Sequence, residues 1–207
     1  MPELTDFKVV LWDFDGVILD SMPIRELGFR KVLEEYSEDK VELLITYHNK
    51  NGGLSRYNKF DYFFRNILET AIDDKRIQEL ARNFSTEMKK LLTDKSLLIK
   101  DSLSYIKSYF STQEFHIVSG SDNFELNFLA KELEINQYFR SINGSPTPKK
   151  QIVNKLIINN TWGLDEVCLI GDSFNDLEAA HNNGITFIGY NNLQLRNRSN
   201  VKYIDSF

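Results

Sequence analysis

Cysteine is nearly missing from this chain. Cys168 is the single one among 207 residues, so no disulfide can close within it. A lone thiol inside the apolar run "VCLIG" reads as a small buried core residue, and the scarcity fits a reducing compartment. Long hydrophobic runs are missing too: none approaches the ~20 residues that a membrane-spanning helix needs. The N-terminal "MPELTDFKVV" carries early acids instead of the basic-then-apolar pattern of a secretion signal. Basic charge is also short, with 25 Lys+Arg against 30 Asp+Glu and a formal net charge of -5. That balance speaks against a general nucleic-acid binder, which needs a basic face to neutralise phosphates. It leaves room for a locally positive site that takes a small anion. There is no internal repeat, low-complexity tract or Pro/Gly-rich linker, and only "NNLQLRNRSN", residues 191–200, reads as loose. The expectation is a soluble, cytoplasmic protein with neither a nucleic-acid nor a membrane partner, and with no signal of oligomeric state.

Aromatic residues, in contrast, are plentiful: 15 Phe and 9 Tyr within a 42% hydrophobic composition can fill a sizeable core. Four short apolar runs, "KVVLWD", "FHIVSG", "VCLIGD" and "ITFIGY", end in Gly, Ser, Asp or Tyr. Continuous hydrophobicity of this kind marks strands buried on both faces. Helical patterns lie between them at residues 101–110, 123–135 and 149–160, with a further strand expected within 138–144 and an edge strand at "VKYID". This alternation predicts an α/β fold with a parallel sheet and right-handed crossovers. Residues 21–95 break the rhythm with helical stretches and no buried strand. Ile77, Leu80, Phe84, Met88 and Leu91 form one apolar stripe there. The expected organisation is a core from 1–20 and 96–207, with a helical cap from 21–95.

Ligands of open parallel sheets bind beyond the carboxyl ends of the strands. Asp13, Asp15 and Gly16 leave the first run, Ser119 the second, and Asp172 and Asp176 the later "GDSFND". "NGSPTPKK" adds Lys149 and Lys150 behind two prolines. Crowded carboxylates repel, and burial worsens the conflict. A hard divalent cation resolves it, and oxygen-only ligands favour magnesium. Magnesium beside a lysine attracts a phosphoryl group, and a carboxylate held there can attack it to form an aspartyl-phosphate. The competing reading makes Asp13 and Asp15 a turn pair and Asp172 a helix cap.

These motifs, "DFDGVILDS", "IVSGS", the lysine after "GSPTP" and "GDSFND", resemble the four ordered motifs of the haloacid-dehalogenase-like hydrolase superfamily. More narrowly they resemble its phosphoglycolate phosphatase and β-phosphoglucomutase branch, whose helical cap lies between the first two motifs. The resemblance implies a Rossmann-like core and a Mg2+-dependent phosphatase acting on a small phosphorylated metabolite. Asp13 would then be the nucleophile, and Asp15 the acid that protonates the leaving oxygen and later activates water. Mg2+ would be held by Asp13, the Asp15 carbonyl and Asp172, with Asp176 binding it or orienting the lysine. Ser119 and Gly120 would bind phosphoryl oxygens. Lys149, taken over Lys150 on its spacing from Gly144, would neutralise charge. The dehalogenases lack the second aspartate, so Asp15 argues for an oxygen leaving group.

In the cap, the Gly-Leu-Ser-Arg stretch ending at Arg56 resembles the loop with which β-phosphoglucomutases grip a sugar phosphate. Arg56 and His48 are candidate substrate contacts; otherwise Ser55 caps a helix and Arg56 pairs with an acid. Arg25 stands where the mutases carry a His, which disfavours a mutase and makes Arg25 a further candidate contact. A sugar phosphomutase and a non-catalytic sugar-phosphate binder are the alternatives. His116 reads as ordinary structure.

Overall fold

Val9–Trp12 forms β1, and all four of its side chains are buried. In the computed structural model, which describes residues 3–199 and 201–207, β1 is flanked on both sides by parallel neighbours. Met1 and Pro2, which open the stretch read for a secretion signal, and Asn200, which ends the segment read as loose, lie outside the described residues. Among the described residues the sheet has six strands: β1, β2 (Glu114–Asp122), β3 (Ser141–Ser145), β4 (Val167–Gly171), β5 (Thr186–Gly189) and β6 (Lys202–Tyr203). Every neighbouring pair is parallel, in the order β3-β2-β1-β4-β5-β6. This is the order whose direction of winding reverses beside β1, where open α/β sheets leave a crevice.

Side chains alternate across the sheet. Val10 and Trp12 join a core with Phe115, Ile117, Cys168 and Ile170, while Val9 and Leu11 join a second core with Val118, Val167 and Leu169. Cys168 is a fully buried member of the first. Helices α5 (Lys100–Tyr109), α6 (Asn123–Glu132), α7 (Lys149–Asn160) and α8 (Phe174–Asn182) provide the crossovers.

Between β1 and α5 lie α1 (Met22–Val32), α2 (Glu38–Lys50), α3 (Arg56–Tyr62) and α4 (Asp74–Leu91). Ile77, Leu80, Phe84 and Met88 of α4 are buried, with the Phe84 ring 4.4 Å from Phe29 of α1. Leu91 does not belong to that stripe: it is 45% exposed, and Leu92, four residues after Met88, takes the inward position.

Two other expectations need correction. Ser119 does not leave the end of a strand, because β2 runs on to Asp122 and re-pairs with β3 after a register shift. The segment read as loose contains a short helix, α9 (Leu193–Arg196), capped by Asn192. His116 sits between Ser141 and Glu114, so it has polar partners on its own sheet. No described helix is long and apolar enough to cross a membrane.

Candidate active site

The carboxyl ends of β1 and β4 are tied together: the Asp13 amide donates to the Ile170 carbonyl at 2.9 Å. Asp13 and Asp172 therefore leave adjacent strands side by side. Oxygens of Asp13, Asp172 and Asp176 lie within 4.8 Å of one another. Gly16 makes this possible. It has φ +77, and a Cβ there would stand 2.1 Å from the Asp172 Oδ2. The turns are braced from the segment after β5, where Asn191 donates to the Gly16 carbonyl and Asn192 to that of Asp172. Sequence reasoning missed both asparagines, whose only signal was an Asn pair directly after a strand.

Lys149, the first residue of α7, is buried, while Lys150 is exposed. Its Nζ lies 2.8 Å from Asp13 Oδ1 and also donates to Asp176 Oδ1. The other Asp176 oxygen accepts from the Ser173 amide and hydroxyl, in a capping box that opens α8. Asp176 thus holds the lysine in this arrangement.

Burial raises the pKa of Asp13, the Asp176 charge raises it further, and Lys149 only partly offsets both. Asp172 is likewise pushed well up by burial and by its neighbours' charges. Burial would lower the pKa of Lys149, but Asp13 and Asp176 outweigh it and hold the amine charged. Three carboxylates against one ammonium leave a deficit of positive charge in a set of oxygen donors. That donor set fits a hard divalent cation.

Asp15 is not one of this trio and has its own partners. One carboxylate oxygen accepts from Ser21 and from Arg25 Nε at 2.6 Å; the other accepts from Ser121 at 2.5 Å. Burial alone would raise its pKa, but Arg25 and the hydroxyls outweigh this and hold it below the ordinary value. Ser119 is buried and accepts from the Ser121 amide; its own hydrogen has no acceptor among the described residues. Ser121 was legible only as the second serine of "SGS", which the two-residue period of β2 places beside Ser119.

The loop before α3 presses onto this rim. A Cβ on Gly120 would stand 2.3 Å from the Gly53 carbonyl, and one on Gly53 would stand 2.4 Å from the Ser173 hydroxyl. Asn175 donates to that same carbonyl at 2.8 Å. A cavity of about 20 Å³ remains beneath, lined by Asp13, Asp15, Arg25, His48, Lys59 and Asp172 among others. That is room for about one water.

The polar residues between β1 and α5 are tied down. Ser55 caps α3 by accepting from the Asn58 amide. Arg56 grips Glu125 through two nitrogens, at 2.6 and 2.8 Å. Arg25 Nη1 reaches the same carboxylate at 3.0 Å. Arg56 therefore pairs with an acid, the plainer of its two readings, and the acid is one the sequence did not single out. Burial would raise the Glu125 pKa, but the two arginines outweigh it and keep the group ionised. His48 lies against Lys59, Nδ1 to Nζ at 2.8 Å.

The model of the haloacid dehalogenase-like hydrolases matches residues 10–190. The chain belongs to that family. A phosphoglycolate phosphatase of Pasteurella multocida is 24% identical, over 90% of this chain and 86% of that one. Among solved structures, CbbY from Rhodobacter sphaeroides in complex with phosphate superposes with a TM-score of 0.76 at 14% identity, covering 97% and 94% of the chains. The β-phosphoglucomutase of Clostridium difficile gives 0.75 at 17% identity, covering 97% and 91%. The expected superfamily, its branch and its enzyme class, a phosphatase, agree with these likenesses, and the sheet order is that of the expected α/β fold.

Proposed function

We propose that this hydrolase is a Mg2+-dependent phosphomonoesterase that works through phosphorylation of Asp13 on small phosphorylated metabolites. The observation that carries the reading is the trio of buried Asp13, half-buried Asp172 and buried Asp176 at the switch point of the sheet, with Lys149 bridging the two buried members. Magnesium held by Asp13, Asp172 and the Asp15 carbonyl would supply positive charge against the phosphoryl oxygens and keep Asp13 ionised. Lys149 neutralises further charge beside the nucleophile. The Ser119 hydroxyl and the Gly120 amide bind phosphoryl oxygens.

Asp15 rests as a carboxylate, the form that serves the second step by taking a proton from the attacking water. For the first step it must gain a proton and reach the leaving oxygen. A phosphoryl dianion beside it and release from Arg25 both raise its pKa in that direction. We assign residues 21–95 as a cap over a core of 1–20 and 96–207. With about 20 Å³ between them, a substrate enters only when the Gly53 loop lifts from Gly120. The lone buried Cys168 supports a cytoplasmic location.

The Gly-Leu-Ser-Arg loop would favour a sugar phosphomutase. Against it, Arg56 is committed to Glu125 here and Arg25 replaces the mutases' histidine. A non-catalytic binder has no need of Lys149 between two buried carboxylates. The test is phosphate release from p-nitrophenyl phosphate with Mg2+, by the native chain and by Asp13→Asn. Release that stops with chelator and in the variant supports the reading. Release unchanged by either overturns it.

A further inference from the structure

The cap side of the cavity holds more positive charge than it has partners for. Arg25 and Arg56 share Glu125, and Arg25 also meets Asp15. Lys59, one helical turn beyond Arg56, is 3% exposed and has no carboxylate within ion-pairing distance among the described residues. Its ammonium reaches His48 Nδ1 at 2.8 Å and the Gly52 carbonyl at 3.1 Å. A buried cation without a counter-ion is costly, and chains keep one where an anion arrives to meet it.

Two further groups support this. An ammonium has only hydrogens to give, so His48 Nδ1 accepts and the ring proton sits on Nε2. That Nε2 is buried without a partner among the described residues, and so is Arg25 Nη2. Arg25, His48 and Lys59 all line the same cavity, together with apolar Met22, Phe29 and Leu54. A water in the remaining space could meet one orphaned donor, but it would bring no negative charge.

We propose that Lys59, Arg25 Nη2 and His48 Nε2 form a subsite for a second anionic group, a carboxylate or phosphate, on the substrate whose phosphoryl group meets Asp13. The inference rests on the phosphatase reading for the position of that phosphoryl group. It names the substrate class: phosphomonoesters with a second negative charge. Burial and the Arg25 charge bring the Lys59 pKa down to about 7, so an arriving anion also stabilises its charged form.

The experiment compares 3-phosphoglycerate and fructose 1,6-bisphosphate with glycerol 3-phosphate, which lacks a second anion. In the native chain, kcat/KM for at least one doubly anionic ester exceeds that for glycerol 3-phosphate by tenfold or more. The better of the two tells carboxylate from phosphate. In Lys59→Met that ratio falls at least tenfold; Lys59→Gln, with thermal melts of both, serves if Met misfolds. A native ratio within twofold of unity, or one that survives in the folded variants, overturns the proposal. If no ester releases phosphate, the phosphatase reading fails by itself, and calorimetric titration of the same three compounds decides the subsite. Tighter binding of a doubly anionic ester, lost in the Lys59 variants, upholds it; equal binding of all three overturns it.

Discussion

The two walls of the cavity carry opposite imbalances of charge. On the sheet side, Asp13, Asp172 and Asp176 face one ammonium, Lys149. On the cap side, Arg25, Arg56 and Lys59 face Asp15 and Glu125. Burial, then neighbouring carboxylate charge, raises the pKa of Asp13 and Asp172 on the first wall; burial, then the Arg25 charge, lowers that of Lys59 on the second. A phosphomonoester with magnesium at one end and a second anion at the other would complete both. The imbalance is informative because both walls are buried, where water cannot screen an unpaired charge.

The comparison breaks most visibly on the sheet side. Asp13→Asn is expected to cut phosphate release by about a thousandfold or more, as loss of a nucleophile does. A fall of less than tenfold, measured as steady-state kcat, would move the chemistry elsewhere.

On the cap side, Glu125→Gln strands the buried Arg56 guanidinium and takes from Arg25 one of its two carboxylates. Breaking a buried pair costs about 3–5 kcal/mol, which urea denaturation would report as a lower midpoint with an unchanged slope. A loss within experimental scatter would mean that the carboxylate does not fasten the cap to the core.

Lys59→Met works in the opposite sense, by removing a charge that folding buries. The folded pKa of about 7 lies below the ordinary lysine value. Between the two the unfolded chain binds more protons, so native stability rises with pH across that window. The variant is therefore expected to be more stable than the native chain by about 1–4 kcal/mol near pH 6.5. The gain should shrink toward pH 10, as read by melts at several pH values. A pH-independent difference would show that Lys59 is not buried as an unpaired cation. The smallest effect is Ser55→Ala at the start of α3, about 1 kcal/mol for a lost cap, read from the same melts.

The sheet-side wall was legible in sequence because each of its groups follows directly on a local signal. Asp13 and Asp172 sit immediately behind buried strands, and Lys149 opens a helix behind a proline. On the cap-side wall the sequence pointed to Arg25, His48 and Arg56 but not to their partners, which meet them only after the helices fold over the sheet. Arg56 and Glu125 are 69 residues apart, and Arg25 and Glu125 are 100 apart. No spacing rule joins such pairs. Lys59 carries no local signal, and only its burial gives it meaning. The length of β2 was hidden for a similar reason: its extension through Ser119 and Ser121 depends on re-pairing with β3 at Ser145.

The central claim is that Asp13 carries the phosphoryl group during turnover, and trapping tests it most directly. Enzyme turning over substrate with Mg2+ is quenched, reduced with borohydride and mapped by mass spectrometry. The account predicts homoserine at position 13, formed from the acyl phosphate, and none in enzyme incubated without substrate. Phosphate release with position 13 unmodified, or with the reduced residue at another carboxylate, would contradict it.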